Sequence, residues 1–273
     1  MAKRTPNKTE VLPSGIEVDF FDSVGVDGEP QRRRYQIDGR RCASVSTIAG
    51  YIDPDATGLL YWASGLTCEG IAQLAAQNND LSWLGSRQSI EGALRDAELT
   101  WTDIRDQAAT RGTNVHELVF AALAERHKMP DLANLSDEER GYGTAALRWW
   151  NDRQPRPILT EQMTASVEHK FAGRFDLLCE IEGERVLVDA KTRAKPKARV
   201  SDHTQLAGYE IANIESGHGE SDRQLVLILG PDGDYAEVEG QADADDFLAA
   251  LSVYWAKAEL GRRMRKAHKA VAA

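Results

Sequence analysis

The chain has 273 residues, with 33 Lys and Arg against 43 Asp and Glu and a formal net charge of −10, which excludes a uniformly basic coat that holds nucleic acid regardless of sequence. A local basic groove stays open. At about 150 residues per domain the length allows one large domain, or a core with an appended lobe, and no run approaches the ~18 apolar residues of a membrane span.

Residues 1–30 are polar and punctuated by Pro6, Pro13, Gly15, Gly25, Gly28 and Pro30, which predicts a flexible arm. A short strand is expected over 34–38, closed by a turn at Gly39. Leu59, Leu60, Trp62, Ala63 and Leu66, then Ile71, Leu74 and Ala75, recur at helical spacing, so they predict a helix with these side chains inward. A longer helix is expected over 94–128, broken near Gly112, with Leu118, Val119, Ala122 and Leu123 inside; Pro130 ends it. Ser136 and Glu139 stand in capping-box register for a helix through Trp149 and Trp150.

The texture changes after Pro157. Strands are expected over 159–167, 171–181 and 185–190, with a tight turn at 182–184 between the last two. A basic loop over 191–199 leads to a helix over 201–214, a strand pair over 224–229 and 235–238, and a closing helix over 243–266. The expected organisation is an arm (1–30), a mainly helical lobe (31–155) and an α/β core (156–273).

Cys42, Cys68 and Cys179 form no Cys-x-x-Cys pair, so no disulfide framework, zinc motif or iron–sulfur motif is legible. The start, Met1 to Pro6, lacks the apolar stretch of a signal peptide, which leads to the expectation of a reducing cytoplasm.

The chemistry concentrates in Gly173-Arg174-Phe175-Asp176 and, thirteen positions after Asp176, Asp189-Ala190-Lys191. Asp189 and Lys191 are two apart on a strand and leave the same face. Carboxylates beside a lysine are costly to bury unless they hold a cation, and their oxygens suit a hard divalent ion. An ordinary surface ion pair is the plainer alternative for an isolated Asp-x-Lys. Gln205 and Tyr209, four apart and so on one helical face, add an amide and a phenol directly after the basic loop.

Gly-x-x-Asp, Asp-x-Lys and Gln-x-x-x-Tyr in this order resemble the PD-(D/E)xK nuclease superfamily, in particular its RecB-like branch of phage exonucleases and CRISPR-adaptation nucleases. Arg111-Gly112-Thr113-Asn114-Val115-His116 matches that branch's upstream histidine setting, and 43–48 with Tyr61-Trp62-Ala63 resembles the N-terminal lobe of its phage-encoded members. The resemblance covers roughly residues 40–230. It implies a restriction-endonuclease-like α/β core, a central mixed sheet flanked by helices, with a helical N-terminal lobe that contributes the histidine. It implies that His116, Asp176, Asp189 and the Ala190 backbone carbonyl bind Mg²⁺ or Mn²⁺. Glu161 matches a further acidic position for which Glu168 competes. Lys191 would position the attacking water and, with Asp176 and Asp189, make up the catalytic set. Gln205 and Tyr209, with Arg193, Lys195 and Lys197 of the basic loop, would hold the DNA backbone. The iron–sulfur cysteines of many relatives are missing, so no such cluster is expected.

The implied function is a metal-dependent DNA nuclease, an exonuclease of recombination or DNA end processing in the cytoplasm, in a host cell's if phage-encoded. The partners would be linear duplex or single-stranded DNA and a recombination protein, with no membrane; a homo-oligomer is compatible. A structure-specific endonuclease with the same site, or a catalytically weak DNA-binding module, are the alternatives. His116-Glu117 does not open a zinc-protease motif, because position 120 is Phe. His127, His169, His203, His218 and His268 are expected at the surface, Trp149 and Trp150 in packing, and Arg32 to Arg34 on a solvated arm. The acidity is local: residues 215–246 hold ten acidic residues and one arginine, whereas 185–203 and 31–41 each come to +4 and 261–273 to +5.

Overall fold

The computed structural model describes residues 5–24, 26, 33–52, 56–78, 80–124 and 132–271. It divides into two compact units, residues 1–53 with 115–273 and residues 54–114.

The larger unit is built on a nine-stranded mixed sheet. Its strands are β1 (Lys8–Val11), β2 (Glu17–Phe21), β3 (Arg34–Ile37), β4 (Arg40–Ser44), β5 (Arg156–Ser166), β6 (Phe171–Ile181), β7 (Glu184–Thr192), β8 (Arg223–Leu229) and β9 (Tyr235–Glu239). The order is β1-β2-β3-β4-β6-β7-β8-β9, with β5 also paired to β6. The β4–β6 and β7–β8 pairs are parallel and the rest antiparallel. Glu182 (φ 54°) and Gly183 (φ 89°) both lie in the left-handed region, the geometry of a two-residue hairpin turn whose twist matches β6 and β7.

Helices cover both faces of the sheet. On one side α5 (Asp137–Arg153) buries Tyr142, Ala145, Ala146 and Trp149 against Leu177, Cys179, Val186 and Val188. On the other, α1 (Val45–Ala49), α6 (Val200–Ser216) and α7 (Ala244–Val271) pack on Phe171, Phe175, Leu178 and Leu187. A fully buried side chain of this size stabilises the fold by about 1.5–3 kcal/mol. Ser136 and Glu139 form the expected capping box at α5.

Phe175 and Leu178 sit under α6, whereas Leu177 and Cys179 face α5. Strict alternation would place Phe175 and Leu177 on one face. The side-chain alternation therefore shifts once, between Phe175 and Leu177, while the β5 register stays unchanged across it.

The strands and helices of residues 156–273 match expectation to within a few residues at their ends, except that α7 runs on to Val271. Three expectations are corrected. Residues 1–30 are not an arm throughout, because β1 and β2 join the sheet and Leu12, Val18 and Phe20 pack with Ile37, Met163 and Ala172. The boundary near 155 does not hold, since α5 and β1–β4 belong with the sheet; the helical unit is residues 54–114 and stops short of His116. The helix over 94–128 is two, α3 (Arg87–Asp96) and α4 (Trp101–Ala124), divided near Glu98 (φ 55°) rather than at Gly112.

Within the smaller unit, α2 (Ala56–Gln77) carries Gly70 against Leu94 and Leu99, where a Cβ would come within 2.9 Å of the Leu94 side chain. Leu74 and Leu94 are buried, but Leu60 and Trp62 are exposed, contrary to the inward stripe expected. The side chains of Leu59, Leu118, Val119, Ala122 and Leu123, together with Arg32 and His127, lie outside the described residues. No described helix is long and apolar enough to cross a membrane.

Candidate active site

The site lies at an opening in the sheet. One edge of β6 is lined by β5 along nearly its whole length. The other carries β7 over Leu177 to Ile181 and β4 at Phe171 and Ala172, so Gly173 to Asp176 fall between two partners. There the Ala190 N–H donates to Oδ2 of Asp176 (2.8 Å). Ala190, expected to offer its carbonyl, thus meets Asp176 through its amide.

Gly173 has a steric reason. A Cβ built on it would lie 2.6 Å from Cε1 of Tyr209 and 2.9 Å from Cγ2 of Val45, so only glycine lets α6 and α1 close on this stretch of β6.

Three ligand-bearing side chains meet beside Asp176. His116, in the part of α4 belonging to the larger unit, brings Nδ1 to 3.4 Å from Oδ1 of Asp176. Glu161 stands across the β5–β6 ladder from Asp176, since its neighbours Thr160 and Gln162 pair with Leu177 and Phe175. One ligand atom from each of His116, Glu161 and Asp176 lies within 4.8 Å of the other two. Glu161 also accepts an ion pair from Arg174 (3.0 Å). Its φ of 49° is left-handed in the middle of a strand, a conformation that costs a non-glycine residue about 1–3 kcal/mol and clusters at functional sites. Glu168, its competitor, lies instead in a second group with His169 and Glu215.

Asp189 is 1% exposed and faces α6. Its Oδ2 pairs with Nζ of Lys191 at 2.6 Å, as the spacing of two requires. Gln205 orders the remainder: its Nε2 donates to Oδ1 of Asp189 (3.0 Å) and to the Tyr209 hydroxyl (2.9 Å), and its Oε1 accepts from Lys191 (3.4 Å). These partners fix the amide's orientation, since only the nitrogen can donate. Gln205 and Tyr209, expected on the DNA backbone, are turned inward, with Tyr209 only 5% exposed. They hold Asp189 and Lys191 in place.

The electrostatics follow from burial and charge order. Burial opposes the charge on Asp176, but His116, Lys191 and the Ala190 N–H outweigh it and hold the carboxyl below its usual range. For Asp189 burial dominates over Lys191, and with Asp176 nearby the carboxyl is pushed up to about 6. Burial works against charge on Lys191 and His116 too, yet the carboxylates around them keep both above their ordinary values. Burial, then Asp189 and Asp176, lift the Tyr209 phenol well up, so it stays protonated.

Oxygen ligands with one imidazole suit a hard divalent cation such as Mg²⁺ or Mn²⁺ better than a thiolate-preferring one. The grouping of His116, Glu161 and Asp176 fits such an ion. Asp189 lies outside that grouping and is taken up by Lys191 and Gln205.

Of the basic loop, Lys195 and Lys197 are exposed, but Arg193 is not free for DNA. It makes a bidentate pair with Asp202 (2.5 and 2.7 Å) and donates to the Lys197 carbonyl, while Asp202 also accepts the Arg199 N–H. Arg193 therefore shapes the loop that carries the two lysines. Elsewhere, His218 is not a surface residue: a ring nitrogen lies 3.1 Å from the Met163 carbonyl and the ring abuts Phe175. Trp149 is buried, with Nε1 donating to Glu237. Arg33 and Arg34 lie over the rings of Phe20 and Phe21.

The family model described as the PD-(D/E)XK nuclease superfamily matches residues 93–271, about two thirds of the chain, and contains every residue of this site. The chain belongs to the PD-(D/E)XK nuclease superfamily. Its mixed sheet with helices on both faces is the restriction-endonuclease-like α/β fold of that superfamily. Among solved structures, this PD-(D/E)XK chain is similar to an alkaline exonuclease from Laribacter hongkongensis, at 13% identity over 84% of this chain and 94% of that one, with a TM-score of 0.41. The complex of that exonuclease with dAMP aligns at 16% identity over the same shares, with a TM-score of 0.32. No curated protein matches the chain.

Proposed function

We propose that this PD-(D/E)XK protein is a metal-dependent deoxyribonuclease that hydrolyses phosphodiester bonds, acting as an exonuclease in recombination or DNA end processing. The observation that carries the reading is the grouping of His116, Glu161 and Asp176 beside the Lys191–Asp189 pair, at the opening on β6.

His116, Glu161 and Asp176, with Asp189 and the Ala190 carbonyl alongside, would hold Mg²⁺ or Mn²⁺. Bound there, the ion supplies Lewis-acid stabilisation of a phosphoryl oxygen and a more acidic water. Lys191 orients the attacking water through its ammonium protons and balances charge that develops on the phosphate. Asp189 keeps Lys191 charged and aimed, and Gln205 and Tyr209 act through that pair. Lys195 and Lys197 steer the DNA backbone toward the opening.

The test is digestion of end-labelled linear DNA and covalently closed circular DNA with Mg²⁺, Mn²⁺ or EDTA. Metal-dependent release of nucleotides from the linear substrate alone is the expected result, abolished in Asp176→Asn and strongly reduced in Lys191→Met. Cutting of the closed circle would replace the exonuclease with an endonuclease. Salt-sensitive binding of DNA with no cleavage in any metal would leave only a binding module.

A further inference from the structure

The C-terminal half of α7 has no part in the site. Up to Gly261 the helix shows an inner stripe, with Phe247, Ala250 and Leu251 buried and Tyr254, Ala258 and Gly261 half-buried. Beyond it, residues 262–268 are all exposed, so about two turns stand clear of the core.

This outer stretch has one sign of charge. No acidic residue follows Glu259, whereas Arg262, Arg263, Arg265, Lys266 and Lys269 all do, and Glu259 pairs with Arg262. Arg262 and Lys266 are four apart, a spacing at which like charges oppose helix formation. Good helix formers and the carbonyl end of the helix dipole work the other way. A helix continued beyond the core, with cations in excess in a chain of net charge −10, is suited to an anionic partner.

We infer that residues 262–266 of α7 form an auxiliary binding arm for the phosphate backbone of the nucleic acid, separate from the basic loop at the site. The choice of polyanion rests on the nuclease reading of the site and on charge complementarity. Where the arm leaves the core, Lys257 lies over the ring of Tyr51 and Tyr254 meets that ring edge-on. Tyr51 follows α1, whose N-cap Ser44 pairs with Ala172, four residues before Asp176. The arm thus leaves the core beside the segment that follows α1.

The experiment measures binding to a 20-base-pair duplex by fluorescence anisotropy in EDTA, as a function of salt. Each phosphate that the protein ceases to neutralise lowers the slope of log K against log salt by about 0.9. The variant Arg262→Gln, Arg263→Gln, Arg265→Gln, Lys266→Gln is expected to fall by about 3 in slope and more than tenfold in affinity near 0.15 M salt. The pair Arg263→Glu, Lys266→Glu should give a similar decrease. A matched variant neutralising Arg87, Arg140 and Arg148, whose charges are already paired with Glu91, Asp137 and Asp234, should keep the wild-type slope. Circular dichroism of each variant establishes that it is folded. An unchanged slope in the α7 variants, or an equal decrease in the matched variant, overturns the arm. So does an unchanged slope accompanied by abolished binding to phosphatidylserine vesicles. Because binding is read without metal, a failure of cleavage by the wild type would sink the nuclease reading and leave this measurement intact.

Discussion

Oδ2 of Asp176 accepts the backbone N–H of Ala190, so a side-chain carboxylate occupies a rung that a strand carbonyl would otherwise fill. This bond ties the aspartate of β6 to the middle of the Asp189-Ala190-Lys191 run on β7, and it explains why both segments must arrive together.

Removing the carboxylate of Asp176 should therefore be visible before any chemistry. Millimolar Mn²⁺ is expected to raise the melting temperature of the wild type, since a ligand at about a hundred times its Kd adds about 2.7 kcal/mol. EDTA should reverse the shift. Asp176→Asn should show none, and Glu161→Gln or His116→Gln a reduced one, as read by differential scanning fluorimetry. A full shift in Asp176→Asn would move the metal elsewhere.

Lys191→Met keeps an unbranched side chain, one atom shorter, and removes its charge. Turnover should fall by about 10²–10³, the usual cost of losing one preorganised electrostatic group. Single-turnover cleavage at saturating protein is the measurement, because it separates the step from DNA binding. Gln205→Leu should give a smaller decrease, since it frees the Lys191–Asp189 pair without deleting it.

Gly173→Ala places a methyl group where Tyr209 and Val45 already stand. Overpacking of this kind costs about 1–3 kcal/mol, read as a lower urea midpoint at unchanged m-value. Alanine at Gly183, where nothing lies within 4 Å, meets no such clash and is opposed only by its φ of 89°. That difference separates a steric from a conformational role for glycine.

The Arg193–Asp202 pair has a pH signature. Burial raises the Asp202 carboxyl, but Arg193 and the Arg199 N–H more than offset this and hold it below its usual range. A lowered folded-state value stabilises the protein above the unfolded-state pKa of about 3.9, and the contribution is lost as pH falls through the folded value. Asp202→Asn should cost about 3 kcal/mol at neutral pH, and its urea midpoint should fall less steeply than that of the wild type below about pH 4.

Much of this arrangement could be read in the sequence, for physical reasons. The strand over Phe171–Ile181 is legible because alternating apolar residues bounded by Lys170 and Glu182 fit only an extended chain, and Asp-x-Lys is legible because a period of two is unambiguous. The β1–β2 hairpin is not: Lys8–Val11 and Glu17–Phe21 are short, polar on one side and flanked by Pro13 and Gly15, and their burial comes from Ile37 and Met163 far along the chain. The inward turn of Gln205 and Tyr209 depends on where β7 lies relative to α6, which spacing along one helix does not specify. The fate of Arg193 carried a weak local signal, because Asp202 sits in the first turn of α6 where an N-terminal cap is favoured. The left-handed backbone of Glu161 left none.

β6 joins two wings. On the edge facing the site, β4 brings in the strands β1 to β4 through only two paired positions, and β7 brings in β7 to β9. Between them no backbone rung closes the seam. Side chains span the seam instead: Val45 and Tyr209 both close on Gly173, and Ala43, Val45 and Ile48 share a buried cluster with Val226 and Ile228 of the β7–β9 wing. Asp176 thus stands where the sheet trades its ladder for packing, and the gap that frees its carboxylate is walled by buried side chains.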